Sequence, residues 1–239
     1  MLMLTGMIGE LYGKASRNIY SLMNAGNDVY CLMCGWQGKA FMKRGVCPQC
    51  KSMARHRLIP FAVQHFGLNF NQRLLHIGPN IDEVAYVLRH FLPSEYHRLD
   101  IEPSNMVNLS GDLCEIPLSD NSIDVGFIWH VLEHVPDDRL AIKEMYRVLR
   151  RGAVFLVSVP LNPPGREKTA EDESLPREKY LEVHGHHDHV RSCGLDYADR
   201  FEEVGFEIST LNVKDDVRVS EKQFFGLSDG HVAWRCTKR

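Results

Sequence analysis

LLHIGPNIDEVAYVLRHFLPSEYHRLD, residues 74–100, decides the fold. Leu74–Ile77 is a short apolar run broken by Gly78-Pro79, the pattern of a buried strand entering a turn. Asp82–Phe91 then reads as a helix and His97–Asp100 as a second strand closing on a carboxylate. A carboxylate about twenty residues after a nucleotide-binding turn commonly grips a ribose diol. Asp100 is therefore read as a ligand residue for a nucleotide-like molecule.

Strands and helices continue to alternate beyond it. Val125–Trp129, Val154–Val159, Glu207–Val213 and Val232–Cys236 read as strands, and Asp138–Arg150 and Tyr197–Val204 as helices. Ile142, Met145, Tyr146 and Leu149 share one face of the first of these helices. Arg150-Arg151-Gly152 suits its end, because cations favour a helix C-terminus and glycine the position past it. Such alternation predicts a mainly parallel sheet. Residues 162–180 carry Pro163, Pro164, Gly165 and Pro176 and read as a long loop. Upstream, residues 4–23 place apolar side chains at helical spacing, and residues 53–66 read as a connecting helix bent near Pro60. The expected division is an N-terminal helix (1–28), a cysteine-bearing segment with its connecting helix (29–72) and an α/β domain (73–239).

The 239 residues are 44% hydrophobic and 25% charged, enough apolar material for one domain and a small appendage. The net charge of −3 argues against broad binding to a phosphate backbone and leaves room for a local basic patch. No apolar run reaches the roughly 18 residues of a membrane span. The segment MLMLTGMIGELYG lacks the basic flank and long apolar core of a signal peptide. Cytoplasmic residence is the expectation.

Cys31-Leu-Met-Cys34 and Cys47-Pro-Gln-Cys50 are separated by twelve residues. Each pair can present two thiolates on one tight turn, and two such turns complete a tetrahedral Zn²⁺ site. Four thiolates leave no open position, so a structural metal is expected. Lys39, Lys43, Arg44, Lys51, Arg55, His56 and Arg57 surround this ribbon and offer either a nucleic-acid face or a solvated surface.

The turn after Ile77 has one permissive glycine, Gly78, with neither GxGxxG nor a Walker lysine. A dinucleotide pyrophosphate or a triphosphate is poorly served by it. A ligand with an adenosine and no phosphate fits better, and S-adenosylmethionine is such a ligand.

The run GDLCEIPLSDNSIDVGFIWHVLEHVPDDRLAIKEMYRVLRRGA, with LLHIGPN, CPQCKSMARHRL and HDHVRSCGLDYADRFEEVGFEI, resembles class I S-adenosylmethionine-dependent methyltransferases of the type 11-like group. The resemblance is to a subgroup with an N-terminal four-cysteine zinc ribbon. It implies a Rossmann-like, seven-stranded, mainly parallel sheet with helices on both faces, plus the ribbon. It further implies a cofactor set of His76, Gly78, Asp100, Ile101, Asp112, Leu113, Trp129 and His130. Asp100 would hold the ribose hydroxyls and Asp112 the adenine amino group, with Leu113 beside the ring. Trp129 and His130 would face the methionine part and the methyl group. The sequence departs from the family pattern at the first strand, where His76 replaces an acidic residue and Asn80 and Asp82 replace loop glycines. If that loop is merely degenerate, changing His76 to Asp and Asn80 to Gly should improve cofactor affinity.

His184-Gly-His186-His187-Asp188-His189-Val-Arg191 is dense in potential metal ligands. The resemblance favours another use, as a substrate-side loop over the cofactor pocket. Histidine accepts a proton near neutral pH. His134, His187 and His189 are the candidate bases and Arg191 the candidate grip for an acidic substrate. The expected activity is methyl transfer to an oxygen or nitrogen of a small molecule or glycosylated metabolite. The alternatives are an RNA methyltransferase docking RNA through its ribbon and a non-catalytic binding relative. Nothing in the sequence specifies the oligomeric state.

Overall fold

The computed structural model describes residues 19–172 and 174–239. Most of the helix expected over residues 4–23 lies outside the described residues; residues 19–23 are helical (α1). Contacts divide the chain into two units. One holds the residues up to Phe61 together with Val217–Ser228, and the other holds Ala62–Asp216 and Asp229–Arg239.

In the first unit, β1 (Val29–Tyr30) and β2 (Gln37–Gly38) form an antiparallel pair around the first cysteine turn. The second cysteine turn precedes α2 (Ala54–His65), which runs through the buried Pro60 as one helix. So small a unit has little apolar surface to bury and needs other ties. Tyr30 stacks on Phe224 of the returning helix Val219–Phe225 with ring centroids 6.1 Å apart. Arg57, 0% exposed, is the hub. Its guanidinium donates to the carbonyls of Ser52 (2.7 Å), Gly45 (2.9 Å), Phe225 (2.8 Å) and Gly226 (2.8 Å). It also lies 4.0 Å above the Phe41 ring. The basic cluster around the ribbon is thus not one surface, because Arg57 and His56 are buried in it.

The second unit is built on a seven-stranded sheet of order β5-β4-β3-β6-β7-β11-β10. Its strands are β3 (Arg73–Ile77), β4 (Glu95–Asp100), β5 (Leu109–Ser110), β6 (Ile123–Trp129), β7 (Leu149–Ser158), β10 (Phe206–Asn212) and β11 (Val232–Lys238). Strands β3 to β7 pair in parallel, and β11 runs antiparallel between β7 and β10. Side chains alternate across each strand. Leu75 and Ile77 join Ile142 and Met145 of α4 (Asp138–Val148) and Phe201 of α6 (Asp199–Val204) in the main core. Leu74 and His76 take the opposite face, where His76 meets α3 (Ile81–His90). Gly126 lets β6 pass the Phe155 ring, since a Cβ there would lie 2.0 Å from it.

Three local expectations change. The helix expected to reach Arg150 ends at Val148, and Leu149 pairs with Ile123 as the first residue of β7. Leu149 is fully buried, and the sheet rather than the helix gives it that burial. Leu109–Ser110, too short to announce itself, extends the sheet beside β4. The long loop holds β8 (Ala170–Glu171), paired antiparallel with β9 (Arg191–Ser192), and α5 (Tyr180–His184) overlaps its end.

Lysine carries three donors on one nitrogen and no planar fork, so Arg57→Lys leaves at least one of the four carbonyls unpaired. The variant is expected to lose about 3 kcal/mol of stability in the cysteine-bearing unit. Hydrogen exchange of the amides in residues 29–61 measures this, and unchanged protection there would refute the hub assignment.

Candidate cofactor and metal sites

In open α/β sheets ligands settle outside the carboxyl ends of the strands, where the strand order reverses. That point lies between β3 and β6, adjacent strands from which the chain proceeds in opposite directions. A cavity of about 480 Å³ opens there, within the roughly 300–1,000 Å³ range of small-molecule pockets. Ile77 and Gly78 after β3, Asp100 and Ile101 after β4, and Asp112 and Leu113 after β5 line one part of its wall. Val131, His134, Val135, Pro136 and Asp137 after β6 line another.

Each of the expected residues on this wall has a local reason for its position. Gly78 has φ +63°, and a Cβ on it would lie 2.4 Å from Val131 Cγ2. Asp100 Oδ1 accepts the Glu102 N–H at 3.0 Å, and Asp112 Oδ1 accepts the Cys114 N–H at 2.8 Å. These bonds fix both carboxylates at turns, and each has a second oxygen to offer. Leu113 is buried and Ile101 is 67% exposed. Three other expected residues are not on the wall. Trp129 is packed at the end of β6 against Phe127, and His130 adopts φ +55° just past it. His76 is fully buried inside the sheet.

The altered first-strand loop is a closed network. Asn80 caps α3 by accepting the Asp82 and Glu83 N–H groups, and Glu83 returns a bond to the Asn80 N–H in a capping box. The buried Glu83 carboxylate also lies 3.1 Å from His76 Nε2, while His76 Nδ1 lies 2.9 Å from the Tyr96 hydroxyl. The loop is therefore differently built rather than eroded, and the expected gain from His76→Asp with Asn80→Gly does not follow. That double change would set a second carboxylate against Glu83 and remove the cap.

The histidine-rich loop is pinned against the turn after β6 by Val190 N–H donating to Glu133 O at 3.0 Å. His134 lines the cavity, His189 is largely buried beside it, and His187 is 74% exposed. Burial lowers the His134 pKa and takes that of His189 down to about 4, so both rings are neutral at pH 7. Arg191 does not face a ligand as a substrate grip would. It is 3% exposed and donates to the carbonyls of Leu132 (2.7 Å), Val135 (2.6 Å) and Pro136 (2.9 Å) and to Glu171 (3.0 Å). Arg200 binds Asp138 and Glu171, and Tyr197 donates to Asp138. A second cavity of about 600 Å³ borders this network and shares Pro136 and Asp137 with the first. Its two buried arginines are already matched by carboxylates, so it offers no strong anion site.

Sequence reasoning missed the Asp138–Arg200–Glu171 set, in which Asp138 and Arg200 are buried and Glu171 lies at the surface. Only the local Asp137-Asp138 pair before an amphipathic run hinted at the set. Its partners lie 33 to 62 residues away, and sequence alone does not match them.

Cys31, Cys34, Cys47 and Cys50 bring their sulfurs within 4.8 Å of one another. Cys31–Cys50 and Cys34–Cys47 are each 3.7 Å apart. A tetrahedral site with Zn–S bonds of about 2.3 Å needs sulfurs about 3.8 Å apart, so the donor set fits zinc in type, number and spacing. Hydrogen bonding with Cys34 first, then Cys47 and Cys50, drives the Cys31 thiol far below its ordinary pKa, and the contact with Cys31 drives Cys34 up. Four thiols this close ionise together only around a cation.

The family model described as Methyltransferase domain matches residues 75–157, from β3 through β7. Over these residues the chain is similar to S-adenosylmethionine-dependent methyltransferases. It is 41% identical over 96 residues to a probable S-adenosylmethionine-dependent methyltransferase of Mycolicibacterium smegmatis, covering 38% of this chain and 33% of that protein. A second probable S-adenosylmethionine-dependent methyltransferase, from Mycobacterium tuberculosis, is 35% identical over 94 residues, covering 38% of this chain and 31% of that protein. The chain thus spans about a third of the length of these curated relatives. In fold it is similar to the YcgJ protein of Bacillus subtilis, with a TM-score of 0.53, 16% identity, and coverage of 77% of this chain and 99% of that one. No helix among the described residues is long and apolar enough to cross a membrane.

His76→Asp with Asn80→Gly is expected to cost about 3 kcal/mol, from the lost cap and the unpaired buried Glu83. Chemical denaturation of the double variant measures it; equal or greater stability than the parent would contradict the network.

Proposed function

We propose that this chain transfers a methyl group from S-adenosylmethionine to an oxygen or nitrogen of a small molecule or glycosylated metabolite. The observation that carries the reading is the cavity at the carboxyl ends of β3, β4 and β5, with Gly78, Asp100 and Asp112 together on its wall. Asp100 ends β4 where two ribose hydroxyls can donate to one carboxylate. Asp112 sits one strand further out, where an adenine amino group can donate to it, with Leu113 and Ile101 as apolar neighbours of the ring. Gly78 lets the backbone approach the ligand, since Val131 fills the space a side chain would need.

The cofactor's sulfonium supplies an activated methyl group with a neutral leaving group. The protein's part is then mainly alignment and exclusion of water. The turn after β6 brings His134 to the same cavity, and His189 lies behind it. Neutral imidazoles there can take a proton from a hydroxyl or ammonium acceptor. His187 is too exposed to share that part. The four cysteines are assigned a structural Zn²⁺, since four thiolates close the coordination sphere.

Titration calorimetry with S-adenosylhomocysteine tests the cofactor reading. The parent chain is expected to bind one equivalent. Asp100→Ala is expected to weaken binding roughly 10- to 100-fold, the effect of losing a charge-assisted hydrogen bond of about 1.5–3 kcal/mol. No binding by a folded, zinc-loaded sample sinks the proposal. For the ribbon, Cys31→Ser with Cys34→Ser should lower the zinc content by one ion per chain and remove amide protection in residues 29–52, as metal-dependent small units behave. Retained protection would mean the metal is dispensable there.

A further inference from the structure

Three imidazoles converge on one buried carboxylate beside the cofactor cavity. Glu133 is 1% exposed, and its Oε1 lies 3.7 Å from His134 Nε2, 3.9 Å from His189 Nε2 and 3.7 Å from His130 Nδ1. Distances of 3.7–3.9 Å are too long for N–H···O hydrogen bonds. They are close to the roughly 3.3 Å separating donors around a tetrahedral ion with bonds of about 2.0–2.1 Å. Glu133, His134 and His189 place one donor atom each within 4.8 Å of one another.

We propose that Glu133, His134 and His189 form a second metal site, taking a divalent ion of the zinc class through two imidazoles and one carboxylate. The donor types suit such ions, and three protein ligands leave a position for a fourth. The surroundings resemble those of metal-bound histidines, whose second nitrogen is held by an oxygen. His134 Nδ1 lies 3.3 Å from the Asp188 carbonyl and 3.5 Å from its carboxylate, which directs Nε2 toward Glu133. The ligands come from two segments already joined by Val190 N–H to Glu133 O and by Arg191 to Leu132 O and Val135 O. The site is therefore assembled before the ion arrives.

The ligand class for the open position is an oxygen donor. Because His134 also lines the cofactor cavity, that donor is assigned as a hydroxyl of the acceptor, and with the ion bound the two rings hold the ion in place of taking a proton. This last assignment rests on the methyl-transfer reading; binding of the ion does not. The competing cluster is His186, His187 and Asp188 on the exposed part of the same loop. It supplies its donors from three consecutive residues, with His187 74% exposed and no buried carboxylate.

Cobalt(II) binding to the full, zinc-loaded chain tests the site. One Co²⁺ is expected beyond the ribbon's zinc, with visible d–d absorption and without the near-ultraviolet band of cobalt–thiolate bonds. His134→Gln, His189→Gln and Glu133→Gln should each weaken it at least about tenfold, the scale at which even outer partners of metal ligands matter. His187→Ala should leave it intact. Circular dichroism and S-adenosylhomocysteine calorimetry on each variant report whether the fold and cofactor pocket survive. No Co²⁺ beyond the ribbon's ion, or an ion that persists in His134→Gln with His189→Gln, overturns the proposal. So does one lost in His187→Ala. Cobalt binding without any cofactor binding would keep the metal site and remove the methyl-transfer reading, so the two fail separately.

Discussion

The candidate site depends on the guanidinium of Arg191. Parallel strands end in turns whose carbonyls point away from the sheet, and those groups must be paired when buried. Arg191 pairs three of them at once, on Leu132, Val135 and Pro136. Its Nε–H goes to Glu171, which also binds Arg200, and Arg200 binds Asp138 at the first turn of α4. One largely buried ionic set, open to solvent only at Glu171, thus ties β8, β9, α4 and α6 to the turn that carries Glu133 and His134. A buried charge is tolerated only when paired and hydrogen-bonded, and this one is satisfied on every side. Removing one member leaves the others exposed to the low-dielectric interior, so the set acts as a unit.

The cavity follows from a second constraint, the reversal of strand order between β3 and β6. The turns leaving these strands diverge and open a crevice that no side chain fills. Gly78 and Val131 meet across it with no room for a Cβ between them, so the two turns are complementary in shape. Asp100 and Asp112 come from the successive strands on one side, and His134 comes from the other. Asp100 and Asp112 therefore sit on different turns of one sheet from His134, with the cavity between them.

Much of this was legible in the chain. Leu74–Ile77 and Val125–Trp129 are apolar runs bounded by turns, and their type and order survive almost unchanged in β3 and β6. The two CxxC turns read directly as four convergent thiols, because a tight turn brings residues three apart together whatever the rest of the fold does. The places of Asp100 and Gly78 were legible for the same reason, since each stands at a strand end fixed by local pattern, whereas Asp112 was named through the resemblance alone. Leu149 was misread as helical because its periodicity fits a helix, whereas pairing with Ile123 decided its place. His76 was misread as a weakened motif because its partners, Glu83 and Tyr96, sit on a neighbouring helix and strand. Arg191 was misread because an arginine in a histidine-rich loop looks available until the carbonyls around it are known.

The sequence by itself determined the alternating α/β architecture, the cysteine ribbon and the strand-end place of Asp100. These follow from period, turn chemistry and spacing, which act over a few residues. Only the tertiary structure decided which buried polar groups satisfy one another, Arg57 with the carbonyls of Phe225 and Gly226 and Arg191 with the turn after β6, and it alone brought Glu133 beside histidines from two segments. The physical reason is that desolvated charges and hydrogen-bonding groups must be matched across the fold, and the matching partner can lie anywhere along the chain.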